Sequence, residues 1–264
     1  MALALEKREF GGRFQVPVCG QGTWNLFGKD AVRALRTGLD LGLTHIDTAE
    51  MYGTEESVGE AIAGRRDEVF LVSKVLPSNA TRKGTLRACD QSLIRLRTDH
   101  LDCYLLHWPG RHPLEETIAA FEELVSKGKI RSYGVSNFDE HQLAQAVKLG
   151  RIACNQCLYN LEERHIEARV LPECRKHGVS FVGYSPFSGL GGSEVEKIAG
   201  EMEATPRQVA LAFLTRLEGT FAIPKASTVA HVRENVRRVE LSAKQVQRLE
   251  KAYPLRVRAE LPTS

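Results

Sequence analysis

Four side chains in this sequence could together deliver a proton to a reacting oxygen: those of Asp47, Tyr52, Lys74 and His107. A free tyrosine has a pKa of about 10, so it is a poor acid until a nearby ammonium, such as that of Lys74, stabilises the phenolate. The Asp47 carboxylate would keep Lys74 charged, and a neutral His107 could orient a carbonyl oxygen. The set makes a general acid beside an oxygen that gains negative charge. It does not make a metal site, because lysine is not an ordinary ligand and only one histidine is present.

These residues must be positioned by the strands that precede them. Asp47 ends THID, Lys74 ends VFLVSK and His107 ends LDCYLLH, while Tyr52 lies in a loop five residues after Asp47. Four further polar residues follow later strands in the same way: Asn137, Gln156, Tyr184 and Lys225. The carboxyl ends of the strands in a parallel barrel form one rim, on which active sites are built. Taken singly, Asp47 and Lys74 could be a structural ion pair, and His107 could be a core residue. Their position on the same rim favours a functional site.

The order of the elements predicts the barrel itself. Short apolar β-rich segments alternate with longer segments in which apolar residues recur every three or four positions, as in repeated βα units. We predict eight strands: Val16–Gly20, Thr44–Asp47, Val69–Lys74, Asp102–His107, Ile130–Ser136, Ile152–Gln156, Ser180–Tyr184 and Thr220–Pro224. Open sheets usually stop at about five to seven strands, so eight units favour an α/β (β/α)8 TIM barrel, with residues 1–264 as one domain. A hairpin over Glu6–Val16 should precede it, and the last helix should begin at Ser242.

The composition is that of an ordinary globular protein. Charged residues make up 26% and hydrophobic residues 42% of the chain, and the net charge of +3 comes from interleaved residues of both signs. Because no one-sided basic face is indicated, we expect neither a nucleic-acid nor a membrane partner. The apolar start of the chain, MALALEKREF, is too short and too quickly interrupted by charged residues to be a signal peptide. No apolar run has membrane-spanning length. A cytoplasmic location is therefore expected, and a monomer is expected because no unusual exposed apolar stripe stands out.

The six cysteines are scattered without the dense spacing of a disulfide scaffold, so reduced thiols are expected. Cys154 and Cys157 form a C-x-x-C pair on a predicted strand. An odd offset on a strand points the two side chains to opposite faces. We therefore do not expect a metal or redox pair there.

The residues on the predicted rim resemble those of the aldo-keto reductase family, over essentially the whole chain. Its motifs follow one another here in their usual order: GQGTW (20–24), IDTAEMYGTEESVGEAI (46–62), LVSK (71–74), LDCYLLHWPG (101–110), GKIRSYGVSNF (128–138), NQCLYN (155–160), GYSPF (183–187) and IPKAS (223–227). A single segment such as GYSPF would be weak evidence for the family. The whole series of motifs, in the usual order, is specific for it.

The resemblance implies a role for each matching residue. Asp47, Tyr52, Lys74 and His107 correspond to the catalytic four, with Tyr52 protonating the carbonyl as hydride leaves nicotinamide C4. Tyr184 would stack on the nicotinamide, a role that suits a flat apolar ring. Further cofactor contacts are implied for Gly22, Thr23, Asp47, Ser136, Asn137, Gln156, Ser185, Pro186, Phe187, Ser188, Gly189, Leu190, Lys225, Ser227, Thr228, His231, Glu234 and Asn235. Trp24, Met51 and Trp108, together with Tyr52 and His107, would contact the substrate.

Two departures from the family pattern bear on specificity. The arginine often found four residues before the asparagine of the adenosine end is His231 here, and histidine is a weaker partner for a 2′-phosphate. NADPH is the expected cofactor, and NADH or dual use stays open. The loop after GYSPF is short, so the rim loops should leave an open pocket with broad specificity for small aldehydes and ketones, such as α-ketoaldehydes, keto acids or aromatic aldehydes.

Two other functions remain open on the sequence. A barrel could use Lys74 as a Schiff-base nucleophile, as aldolases do with a lysine on a strand end. The fold could also serve as a non-catalytic cofactor-binding module, since fold alone does not prove activity. Loss of a catalytic residue would favour the second function, and none of the four is lost.

Overall fold

The computed structural model describes residues 5–257 and residue 261. Its strands are β1 (Lys7–Phe10), β2 (Phe14–Pro17), β3 (Gln21–Gly22), β4 (His45–Asp47), β5 (Phe70–Val75), β6 (Cys103–Leu106), β7 (Tyr133–Ser136), β8 (Ile152–Leu158), β9 (Ser180–Tyr184) and β10 (Thr220–Ala222). β1 and β2 form a separate antiparallel hairpin, and β3 to β10 form one parallel sheet in sequence order. Isolated bridges from Cys19 to Ala222 and from Gly22 to Lys225 join the first strand to the last. The predicted (β/α)8 barrel is therefore confirmed.

The helices follow the strands and cover the barrel. They are α1 (Gly28–Asp40), α2 (Glu55–Ile62), α3 (Arg82–Leu96), α4 (Leu114–Ser126), α5 (Glu140–Leu149), α6 (Val170–Lys176), α7 (Ser193–Glu201), α8 (Pro206–Leu214), α9 (Val229–Val236) and α10 (Ala243–Ala252). Capping boxes at Asp139, Thr205 and Ser242 satisfy backbone N–H groups at the starts of α5, α8 and α10. The predicted start of the last helix at Ser242 is thus confirmed. Within the described ranges, no helix is long and apolar enough to cross a membrane.

The hairpin closes the amino-terminal end of the barrel. Phe10 is fully buried, with its ring centroid 4.9 Å from that of Phe70 and 5.2 Å from that of Phe221. Gly11 turns against β8 with φ +59°, where a Cβ atom would lie 2.8 Å from that of Ala153. Glycine is needed at this position because both the backbone angle and the close approach exclude a larger residue.

The prediction of the first barrel strand at Val16–Gly20 was wrong. Val16 and Pro17 pair with β1 and belong to the hairpin, while the barrel strand begins later, at Gln21. The residues between them run beside β10, with Gly20 N donating to Ala222 O at 2.8 Å. One apolar run thus serves two elements, and hydrophobic periodicity cannot show where a strand changes its pairing partner.

Alternation along the strands decides which side chains enter the barrel. On β5, Phe70 and Val72 belong to the interior cluster, and Leu71 and Val75 pack under the helices. Lys74 continues the interior series at the carboxyl end of the strand. On β8, Cys154 lies in the interior cluster and Cys157 in the outer one. The prediction that these two cysteines face opposite sides is confirmed.

Candidate active site

The four residues predicted to carry the chemistry meet at the carboxyl end of the barrel. Lys74 Nζ donates hydrogen bonds to Asp47 Oδ1 at 2.5 Å and to the Thr48 carbonyl at 2.8 Å. It also donates to Tyr52 Oη at 3.4 Å, and Tyr52 Oη lies 3.5 Å from His107 Nε2. Because Lys74 occupies a lone pair of the phenol oxygen, the Tyr52 O–H proton is left for another acceptor.

Burial and charge fix the protonation of this group. Burial would lower the pKa of Lys74, but the negative charge of Asp47 and its hydrogen bond outweigh that effect and raise the pKa on balance. Burial raises the pKa of Tyr52 above its ordinary 10.0, and the charge of Lys74 only partly offsets it. Lys74 is therefore an ammonium and Tyr52 a neutral phenol. The expectation that Lys74 would make Tyr52 unusually acidic does not hold for the free protein, because dehydration has the larger effect.

His107 is a neutral imidazole at ordinary pH. Burial, followed by the positive charge of Lys74, lowers its pKa to about 3. Within the described part of the chain, its Nδ1 atom is buried without a hydrogen-bond partner. The ring packs edge-on against Tyr52 and lies beside Trp108, with centroid separations of 5.4 Å and 4.8 Å. A neutral ring can donate one N–H hydrogen bond without bringing a further charge to the site.

Short-range contacts hold the loop that carries Tyr52. The loop is a 3-10 turn over Glu50–Tyr52, and Gly53 follows it in the left-handed conformation. The Glu50 carboxylate accepts hydrogen bonds from the Leu76 backbone N–H and from Asn79 Nδ2, in the segment after β5. These contacts tie the turn to the strand that carries Lys74, and so keep the phenol above the ammonium.

A second network lies across the barrel mouth. Gln156 Nε2 donates to Asp47 Oδ2 at 2.8 Å, and Ser136 Oγ donates to the Gln156 carbonyl at 2.8 Å. Tyr184 Oη donates to Asn137 Oδ1 at 2.9 Å, while Asn137 Nδ2 donates to the His107 carbonyl at 3.1 Å. Asn137 has φ +60°, in the left-handed region that asparagine adopts more readily than most other non-glycine residues. The network therefore holds amide and hydroxyl groups beside the four reactive side chains.

Most of these groups open onto a cavity of about 790 Å³. Most residues of the predicted site line it: Gly22, Thr23, Trp24, Asp47, Met51, Tyr52, His107, Trp108, Ser136, Asn137, Gln156, Tyr184, Ser185, Pro186, Phe187, Ser188 and Lys225. The indole of Trp24 stands edge-on to the Tyr52 ring, with centroids 4.9 Å apart, and Trp24 and Met51 are exposed at the opening. The cavity is therefore apolar near its mouth and polar where the reactive groups lie.

Other predicted site residues do not line the cavity: Lys74, Gly189, Leu190, Ser227, Thr228, His231, Glu234 and Asn235. Lys74 is fully buried beneath Tyr52. Thr228 caps α9 by accepting a hydrogen bond from His231 N at 3.2 Å. Asn235 is buried and lines a separate, smaller cavity.

Sequence reasoning missed two residues of the cavity wall, Ile223 and Arg207. Ile223 lies in the IPKAS segment that carries Lys225, so its neighbours gave a signal. Arg207 lies at the start of α8, a surface helix that no motif singled out. Nothing local in the sequence distinguishes it from the other arginines of the chain.

The residues present fit a nicotinamide cofactor. Held amide and hydroxyl groups at Ser136, Asn137 and Gln156 match a carboxamide, which needs both donors and acceptors. The ring of Tyr184 offers a flat face in the same wall. Among residues 5–257 and 261, no cluster of three or more metal-ligating side chains is found.

Comparison with known proteins decides the family. The sequence matches the model of the aldo/keto reductase family over residues 19–193 and 190–254. The chain belongs to the aldo/keto reductase family. The resemblance seen in the motifs is thereby confirmed.

Relatives of this aldo/keto reductase include named bacterial enzymes. It is 46% identical to the methylglyoxal reductase YeaE of Escherichia coli, with 93% of this chain and 94% of that protein covered. It is 32% identical to the glyoxal reductase of Bacillus subtilis, covering 84% and 82% of the two chains. An aldo/keto reductase from Klebsiella pneumoniae, solved in complex with NADP and acetate, superimposes with a TM-score of 0.94 at 41% identity and covers 99% of this chain and 100% of that one.

Proposed function

We propose that this aldo/keto reductase uses NADPH to reduce small α-oxoaldehydes, such as methylglyoxal, to alcohols, with Tyr52 as the proton donor. The observation that carries the proposal is the position of Tyr52 Oη, which lies 3.4 Å from the Lys74 ammonium and 3.5 Å from His107 Nε2. Relatives named as methylglyoxal and glyoxal reductases support the substrate class. The solved relative in complex with NADP supports the cofactor.

The chain offers specific residues to hold the cofactor. Tyr184 would stack on the nicotinamide, and Ser136, Asn137 and Gln156 would hydrogen-bond its carboxamide. When bound, NADPH supplies the hydride that reduces the carbonyl carbon. The pairing of Gln156 with Asp47 links the cofactor wall to the catalytic group, so one network orients both.

Tyr52 transfers its proton to the carbonyl oxygen as that oxygen gains negative charge. The Lys74 ammonium, held by Asp47, then stabilises the tyrosinate that remains. His107 donates a hydrogen bond from its neutral ring and orients the carbonyl. Because the pKa of Tyr52 is raised, the phenol keeps its proton until charge develops on the substrate.

The shape of the opening supports broad specificity. Trp24, Met51 and Trp108 present apolar surface, and the loop Ser188–Gly192 is short. Few polar groups are therefore available near the mouth to select one substituent of the substrate over another. Small aldehydes and ketones with some apolar character should all be accepted.

The two other functions are less well supported by the geometry. A Schiff-base nucleophile must be a free amine, whereas Lys74 is fully buried, paired with Asp47 and has a raised pKa. A non-catalytic module would not require a phenol held between an ammonium and an imidazole. Borohydride treatment with methylglyoxal should therefore leave no adduct on Lys74.

Substitution of Tyr52 tests the proposal. Tyr52→Phe removes only the hydroxyl and should lower kcat for methylglyoxal by about 10²- to 10⁴-fold, the range for loss of a general acid, while NADPH binding is kept. Consumption of NADPH is followed by its absorbance, and binding by quenching of tryptophan fluorescence.

A matched control is Tyr133→Phe, which removes a hydroxyl that pairs with Glu122 outside the cavity. It should leave kcat unchanged. If Tyr52→Phe reduced methylglyoxal as fast as this control, the assignment of the proton donor would be wrong.

A further inference from the structure

The cavity wall contains an arginine that no motif indicated. Arg207 is the second residue of α8, after the N-cap Thr205 and the first-turn proline Pro206. Its side chain lines the same cavity as Tyr52. Of the described residues in that wall, Arg207 and Lys225 are the two with a permanent positive charge. This part of the cavity is therefore suited to an anion.

The guanidinium of Arg207 is held in place by its neighbours, but its N–H groups remain available for hydrogen bonds. Its Cζ atom lies 5.0 Å from the centroid of the Phe187 ring, and its Nη1 atom lies 3.9 Å from Glu234 Oε2. Within the described ranges its side chain donates no hydrogen bond, and 32% of the side-chain surface is exposed. A planar fork held over an aromatic ring, with unused N–H groups, is well matched to a phosphate.

Strand order places this cation across the barrel mouth from Lys74 and His107. In the eight-stranded barrel, β9 lies four positions from β5, and β10 lies four positions from β6. Phe187 and Lys225 follow β9 and β10, whereas Lys74 and His107 lie on or after β5 and β6. A dinucleotide with its nicotinamide near Tyr52 would therefore extend its phosphates towards the wall that contains Arg207.

The carboxylate of Glu234 lies beside Arg207 but does not itself line the cavity, and it bears on which phosphate the arginine would bind. An acidic side chain can accept a hydrogen bond from a ribose 2′-hydroxyl but repels a 2′-phosphate, for which an arginine is the usual partner. Arg207 and Glu234 stand side by side, so the arginine can compensate the carboxylate when a phosphate is bound. His231, like Glu234, does not line the cavity.

We propose that the guanidinium of Arg207 binds the 2′-phosphate of NADPH and sets the preference for NADPH over NADH. This inference rests on the proposed function, in which NADPH is the cofactor. Lys225, in the same wall, adds positive charge without the planar fork.

The test compares dissociation constants for NADP⁺ and NAD⁺. Both tryptophans of the chain, Trp24 and Trp108, line the cavity, so quenching of intrinsic fluorescence reports binding without catalysis. Arg207→Met keeps an apolar stem against Phe187 and should raise the Kd for NADP⁺ by about 10- to 100-fold, as expected for losing hydrogen bonds to a charged group. The Kd for NAD⁺ should change by less than about twofold. Arg207→Lys, which keeps the charge but not the fork, should give an intermediate value.

Arg233→Met is the matched control, because Arg233 is an exposed arginine on α9, next to Glu234, that does not line the cavity. It should leave both constants unchanged. Equal weakening of NADP⁺ and NAD⁺ by Arg207→Met would place the guanidinium on the pyrophosphate and overturn the proposal. So would an unchanged Kd for NADP⁺, or an equal effect of Arg233→Met.

The outcomes also separate this inference from the proposed function. Reduction of methylglyoxal by the unmodified protein with NADPH tests the proposed function without any change at Arg207. Loss of NADP⁺ selectivity in a protein that does not reduce methylglyoxal would uphold the inference and refute the function. If the protein reduced methylglyoxal but Arg207→Met left the Kd for NADP⁺ unchanged, the function would be upheld and the inference refuted.

Discussion

Lys74 has no exposed surface, yet its surroundings keep it charged. Its ammonium is held by the Asp47 carboxylate at 2.5 Å and by the Thr48 carbonyl at 2.8 Å. Asp47 in turn accepts a second hydrogen bond from Gln156. A buried charge costs several kcal/mol to dehydrate, so each partner is tolerated only because the other is present. The assembly of the proposed catalytic group and the stability of the fold therefore depend on the same pair.

We expect Lys74→Met to lower the free energy of unfolding of the cofactor-free protein by about 3–5 kcal/mol, because it leaves the Asp47 carboxylate buried without its counter-charge. Urea unfolding followed by circular dichroism measures the change. The double variant Asp47→Leu with Lys74→Met should lose much less than the sum of the two single variants. Additive losses would show that the two side chains do not interact strongly. Arg33→Met, which breaks the exposed pair with Asp30, should cost less than about 1 kcal/mol.

Strands and the terminal hairpin determine where the reactive residues stand. Alternation on β4 and β5 points Asp47 and Lys74 into the barrel, above a layer that contains Phe70 and Val72. The hairpin fills the opposite end with Phe10, so the interior is packed from one end to the other. A packed interior allows the charged layer only one position, at the carboxyl rim.

The hairpin plug has a measurable effect on stability. Phe10→Ala removes a fully buried ring that contacts Phe70 and Phe221, and should lower the free energy of unfolding by about 3–5 kcal/mol. Phe14→Ala, on the partner strand, removes a partly buried ring and should cost clearly less. Chemical denaturation of the two variants in parallel measures both. If the two losses were equal, Phe10 would not be the residue that seals the barrel.

For the whole molecule, the interior charge balance predicts sensitivity to acid. His45 is buried against Phe10 and Phe70 with no partner for either ring nitrogen in the described part of the chain. Burial lowers its pKa from 6.5 to about 4, the nearby charges having smaller effects. The unfolded chain therefore binds a proton below pH 6.5 that the folded protein takes up only near pH 4. Stability should fall as the pH falls through this window.

His45→Leu should remove part of this pH dependence. Between about pH 6 and pH 4.5, we expect the slope of the unfolding free energy against pH to decrease by about 1 kcal/mol per pH unit. The reason is that the variant lacks the ring that is protonated in the unfolded chain but not in the folded protein. At neutral pH the variant should be at least as stable as the original, because an unpaired buried polar ring has been replaced by an apolar one. Unfolding in urea at a series of pH values tests both points. An unchanged slope, or the same change from the exposed His141→Gln, would contradict the assignment.

The sequence by itself determined the barrel, most strand positions, the start of the last helix at Ser242 and the meeting of Asp47, Tyr52, Lys74 and His107. These features depend on period, on capping residues and on the rule that parallel strands end at one rim, all of which are local or topological. Tertiary structure alone decided the start of β3, the raised pKa of Tyr52, the unpaired ring of His45 and the presence of Arg207 in the cavity wall. Each of these features depends on which distant segments come into contact and on how much water they exclude. The spacing of residues along the chain does not determine either.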